Sequence, residues 1–116
     1  MIRTFIQATT FSKAFKELGF TDEDLRRLEN LLLENPKAGL VIRGTGRLRK
    51  IRFARKHEGK SGSVRVCYVD FEEKGICYLL TVFAKNVQEN LTQAQCNLLK
   101  AKIDLLDETL RGGLSE

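Results

Sequence analysis

The 116-residue chain is poor in the side chains on which catalysis usually rests: it has one histidine, one proline, one methionine and no tryptophan. The single histidine, His57, stands among Lys, Glu and Gly, which excludes paired-histidine metal sites and argues against a Ser-His-Asp arrangement. Cys67, Cys77 and Cys96 are odd in number and widely spaced. They offer neither a disulfide framework nor a CxxC metal pair, and read as buried free thiols of a reducing compartment. No GxxxxGK[ST] loop occurs and no GxGxxG leads into a helix, so neither a nucleotide cofactor nor a metal is expected. No apolar run approaches the roughly 20 residues of a membrane span. The opening Met1-Ile2-Arg3-Thr4 lacks the apolar core of a signal peptide, and a cytoplasmic location is the expectation. Repeats and low-complexity tracts are absent too.

What is present suffices for one folded domain over residues 1–116, with 42% hydrophobic and 30% charged residues. Ile2 to Ala8 is β-prone. Phe11, Ala14, Phe15 and Leu18 then recur at helical spacing, with Gly19 placed to end the helix. Thr21-Asp22-Glu23-Asp24 resembles a capping box and opens a second helix over Asp22 to Glu34, stopped by Asn35-Pro36. Pro36 to Gly46 is rich in turn residues, and Gly44-Thr45-Gly46 reads as a turn needing positive φ. It leads into a strand from Leu48 to Arg55, in which Ile51 and Phe53 share one face and Lys50 and Arg52 the other. A polar loop, His57 to Gly62, precedes a strand from Ser63 to Phe71, a hairpin turn at Glu72 to Gly75, and a nearly all-apolar strand from Ile76 to Ala84, expected at an interior position. Thr92 to Gln95 is a second capping box, heading a long helix to about Arg111 with two apolar stripes: Leu99, Ile103, Leu106 and Leu110, and Leu98 and Leu105. The expected fold is α+β in the order β-α-α-β-β-β-α: a small, mostly antiparallel sheet with two N-terminal helices and one C-terminal helix packed on it.

The net charge of +5 conceals a division. From Lys37 to Arg65 there are ten Lys and Arg against the single acid Glu58, a local balance of +9, and the remainder of the chain carries −4. A basic block in an acidic frame points to a phosphate-bearing partner, the alternative being a solvated sheet face whose cations deter edge-to-edge aggregation. Arg47, Arg49, Lys50, Arg52, Arg55 and Lys56 follow one strand and its exit, and Lys60 and Arg65 lie beyond it. Phe53, Tyr68, Phe71, Tyr78 and Phe83 interleave with them at strand spacing. Stacking surfaces of this kind bind single-stranded RNA, although aromatic residues in strands more often belong to a core. Of the five, Tyr68 is expected to be the most exposed.

Gly44-Thr45-Gly46-Arg47-Leu48-Arg49-Lys50-Ile51-Arg52 resembles the glycine-loop and basic-strand segment of the RelE/HigB family of toxins, which belong to bacterial type II toxin–antitoxin modules. Leu79-Leu80-Thr81-Val82-Phe83-Ala84-Lys85-Asn86 resembles that family's last strand, and the likeness runs from about Ile2 to Leu110. It implies a metal-independent, ribosome-dependent endoribonuclease that cuts translated mRNA. Its partners would be the ribosome, mRNA and a cognate antitoxin that carries a helix-turn-helix region and holds the toxin inactive. Carried over residue by residue, Lys50, Arg52, Arg65 and Lys85 match the family's catalytic basic positions. Arg47, Arg49, Arg55, Lys56, Lys60, Tyr68 and Phe83 are the expected RNA-binding set. Lys50 is the candidate base, with Arg52, Lys85 or Tyr68 as possible proton donors to the leaving oxygen. In the best-known relatives an arginine and then a tyrosine follow the last strand; Asn86 and about Thr92 stand there in this chain. Phe83 stands where closer HigB-like members carry a tyrosine and has no proton to give. The alternatives are a toxin like ParE, acting on DNA gyrase, and a non-catalytic ribosome- or RNA-binding module.

Overall fold

The computed structural model describes residues 2–55, 63–88 and 90–112. The loop expected at His57 to Gly62, with Lys56 and Lys60, lies outside the described residues. Five strands form one sheet in the order β1-β5-β4-β3-β2: β1 Thr4–Gln7, β2 Leu40–Val41, β3 Arg49–Ala54, β4 Ser63–Phe71 and β5 Ile76–Ala84. The helices are α1 Thr9–Glu17, α2 Asp22–Glu34 and α3 Gln93–Leu110. β1 runs parallel to β5 and the other three pairings are antiparallel, so the fold class is α+β as expected. The sequence pattern foretold four of the strands. The fifth, β2, has two residues, too few for any alternation to register.

Both capping boxes form. Thr21 and Asp24 exchange backbone and side-chain hydrogen bonds at the head of α2, and Thr92 and Gln95 do the same for α3. The acids of the first turn of α2 meet the positive end of its dipole. α1 and α2 cover one face of the sheet, where Phe11, Phe15, Phe20, Leu28 and Leu32 close over Phe53, Val64, Val66, Tyr68, Cys77, Leu79 and Val82. Phe15 and Phe20 stack with ring centroids 4.6 Å apart. Removing a buried ring of this kind costs about 3–5 kcal/mol, enough to unseat a nine-residue helix. α3 covers part of the opposite face through Leu99, Ile103, Leu106 and Leu110, packed on Leu48, Cys67, Val69, Phe71 and Leu80. The second stripe, Leu98 and Leu105, is exposed, so α3 has a narrower apolar face than its composition suggests. Among the described residues no helix is long and apolar enough to cross a membrane.

One irregularity decides what stands beside what. Between β4 and β5, Cys67 pairs with Thr81 but the next residue, Tyr68, pairs with Leu79, leaving Leu80 as an extra residue. Leu79 then fills the α1/α2 core and Leu80 the α3 core, both fully buried. Beyond the bulge the alternation is re-phased. Val82 points to α1 and α2, and Phe83 to the other face, directly across from Arg65.

Candidate functional site

Among the described residues α3 packs on only part of its sheet face, and at the other end the strand register assembles a cationic site. Arg52 pairs with Arg65 and Arg65 with Phe83, so these three side chains stand in one row across β3, β4 and β5. Two residues along β3, Lys50 pairs with Cys67 and shares that face. Lys50, Arg52 and Arg65 border a cavity of about 330 Å³ together with Ala38, Leu40, Ile51 and Asn90. Arg65 is only 8% exposed and its guanidinium donates to Ser63 Oγ at 3.3 Å. Lys50 Nζ donates to Asn90 Oδ1 at 2.8 Å. Among the described residues no carboxylate forms a salt bridge with Lys50, Arg52 or Arg65. Like charges in adjacent strands repel, and two arginines directly opposite each other, with no acid paired to either among the described residues, form a surface that an anion would relieve.

The wall of this cavity is built from the far side of the sheet. Tyr68 lies in the α1/α2 core, fully buried, with its hydroxyl donating to Pro36 O at 2.7 Å and accepting from Gly39 N at 2.9 Å. Burial pushes its phenol above the ordinary value. A side chain at residue 39 would meet Tyr68 Cε1 at 2.9 Å and Lys50 O at 3.0 Å, so only glycine admits this approach. Anchored there, the segment places Leu40 opposite Lys50 as β2, and the hairpin to β3 closes through Gly44 and Gly46, both at φ +84°, as the Gly-Thr-Gly pattern predicted. Tyr68 is therefore neither exposed nor on the cationic face. It cannot stack on a bound base or relay a proton there, and its role is to seat the loop.

The basic block divides in the same way. Arg49, one residue from Lys50, points to the other side and donates to Gly39 O at 2.7 Å. Arg55 caps the end of α1 through Leu18 O and lies over the Phe20 ring at 4.6 Å. Arg47 sits at the remote end of the sheet, stacked on Phe71 and paired with Glu73 and Asp107. These three therefore stand apart from the Lys50, Arg52 and Arg65 group: alternation turns Arg49 and Arg55 to the α1/α2 side, and Arg47 is held by Phe71, Glu73 and Asp107. Lys85 is exposed in the turn after β5; it follows Ala84, which pairs with Val64, and so leaves the sheet one row beyond Arg65 and Phe83. It is not among the residues bordering the cavity. Phe83 is half-buried; it does not border the cationic cavity but a larger apolar groove of about 540 Å³ between α3, β5 and the start of α1.

The thiols take no part. Cys67, Cys77 and Cys96 are buried and free, and burial pushes the first two up to about 12, far from the thiolate that a nucleophile requires. Sequence reasoning missed Asn90, Ala38 and Leu40. The only trace of Asn90 is its place just before the capping box of α3, and Leu40 is brought in by a strand too short to read.

No known family's sequence model matches the chain. Among solved structures, a mutant of the E. coli toxin RelE in the free state superposes with a TM-score of 0.56, covering 88% of this chain and 97% of that one at 18% identity. Sheet order, helix placement and this structural likeness together give the chain the RelE fold.

Proposed function

We propose that the protein is the toxin of a type II toxin–antitoxin module and cleaves mRNA on the ribosome without a metal. The observation that carries this reading is the row Arg52, Arg65 and Phe83 with Lys50 beside it: cations with no paired acid among the described residues, on the open face of a RelE fold. Attack of a ribose 2′-oxygen on the adjacent phosphorus forms a 2′,3′-cyclic phosphate and expels the 5′-oxygen through a transition state with extra negative charge. Fixed cations favour that state over the ground state, most strongly where RNA and ribosome exclude water. Arg65, held low in the sheet and hydrogen-bonded to Ser63, and Arg52, exposed across from it, suit the two non-bridging oxygens. Lys50, when present as the neutral amine, takes the 2′-proton. With Tyr68 buried on the other face, Arg52 or Lys85 protonates the leaving oxygen, while Phe83 offers its ring to a neighbouring base. A cognate antitoxin, an acidic or apolar segment laid over these cations, keeps the protein from the ribosome in the cytoplasm.

The test is primer extension on a defined mRNA in a translation reaction, with and without ribosomes, for the wild type and Lys50→Ala. The expected result is cleavage only on ribosomes, falling by about 10²–10⁴-fold in the variant. Intact mRNA together with inhibited DNA supercoiling would replace this reading with a gyrase-directed toxin. Ribosome binding without cleavage would leave a binding module.

A further inference from the structure

Lys50 is at the end of a flexible four-carbon stem, and catalysis needs its nitrogen in one place. The structure supplies the means. Asn90 Oδ1 accepts from Lys50 Nζ at 2.8 Å, reaching over the cavity from the segment between β5 and α3 to a residue 40 positions earlier. Asn90 is itself tied down: Gln88 Nε2 donates to Asn90 O at 2.7 Å and to Gln95 Oε1 at 2.8 Å. Gln95 Oε1 also accepts from Thr92 N, the reciprocal bond of the α3 capping box. A continuous chain of hydrogen bonds thus joins the head of α3 to the Lys50 ammonium. An amide whose oxygen is committed to an ammonium presents its NH₂ as a donor, so Asn90 adds no negative charge to a site meant for phosphate. An aspartate there would grip the lysine as well, but would repel the RNA.

We propose that Asn90 is the positioning residue for Lys50, holding the Nζ atom over the cavity from the head of α3. This inference rests on the reading of the site as a ribonuclease, and its test separates the two. NMR of the Lys50 side-chain ammonium in the isolated protein comes first. Its motion should be restricted in the wild type and in Asn90→Asp, and free in Asn90→Ala. Equal mobility in the wild type and Asn90→Ala overturns the proposal whatever the protein cleaves. Single-turnover cleavage of ribosome-bound mRNA comes second. Asn90→Ala should slow cleavage by about 10- to 100-fold through misplacement of the amine. Ribosome affinity should stay within about twofold, because the other phosphate contacts remain. In a Lys50→Ala background the same substitution should change the residual rate by less than about twofold, since its effect passes through Lys50. An equal loss in both backgrounds, or no loss in the wild-type background, overturns the proposal and leaves the ribonuclease reading standing. A wild type that cleaves nothing removes the ribonuclease reading, and the ammonium measurement alone then decides whether Asn90 holds Lys50.

Discussion

Two sets of arginines on the β3–β4 hairpin differ in what they touch. On the α1/α2 side, Arg49 and Arg55 end on backbone carbonyls at Gly39 and Leu18, and Arg55 also covers an aromatic ring. On the open side, Arg52 and Arg65 face each other across the strands with no carboxylate bridging to either among the described residues. Residue type is the same, and the strand period alone sorts it into two occupations. A guanidinium whose donors end on carbonyls raises the stability of the fold. One set opposite another cation adds a repulsion that, in the proposed reading, an arriving phosphate relieves.

The sharpest way to break this contrast is to exchange the two losses. Arg65→Met, which keeps the buried stem and removes the charge, should reduce mRNA cleavage by about 10²–10³-fold, the range for removing one fixed donor from a developing charge, and leave thermal stability unchanged or slightly raised. Arg55→Ala should do the reverse, costing about 1–3 kcal/mol in denaturant unfolding while cleavage per folded molecule stays the same. Parallel losses of stability and cleavage in both variants would erase the distinction.

Tyr68→Phe joins the two sides. It deletes a buried hydroxyl that meets Pro36 O and Gly39 N. We expect a loss of about 1–3 kcal/mol in unfolding free energy. Faster amide hydrogen exchange should be confined to the Pro36–Val41 segment. Unaltered exchange there would mean that the hydroxyl does not seat the loop.

The smallest effect is acidic. The Thr21 backbone N–H donating to Asp24 holds that carboxyl below its ordinary value of 3.8, and Arg27 adds in the same direction. A depressed folded-state pKa gives stability that is complete above the unfolded value and is lost as pH falls through the folded one. Urea midpoints of the wild type should therefore drop more steeply below pH 3.8 than those of Asp24→Asn, with parallel slopes counting against the capping-box contribution.

Much of this was legible because it rests on short-range rules. α2 begins and ends where the Thr-Asp-Glu-Asp box and Asn-Pro place it, and the alternation of Lys50, Ile51, Arg52 and Phe53 foretold their faces. What escaped depends on distant partners. Tyr68 is sequestered by a loop about thirty positions earlier, a separation no periodicity encodes. Leu98 and Leu105 satisfy helical spacing, yet α3 meets the sheet along one stripe only. In β5 Leu79, Leu80 and Val82 are all apolar although they face different sides, so their residue types hold no mark of where the phase changes.

That phase change makes β5 an expansion joint. Its first half is keyed to β1 and to the hairpin turn, its second half to the arginine row, and Leu80 takes up the difference between the two counts. One nine-residue strand thereby fills two cores and still delivers an aromatic ring to the cations. Without the joint, Val82 would face Arg65's side of the sheet and Phe83 would be turned into the helices. The choice of aliphatic or aromatic neighbour for the arginine row is thus made by the length of a strand as much as by the identity of its residues.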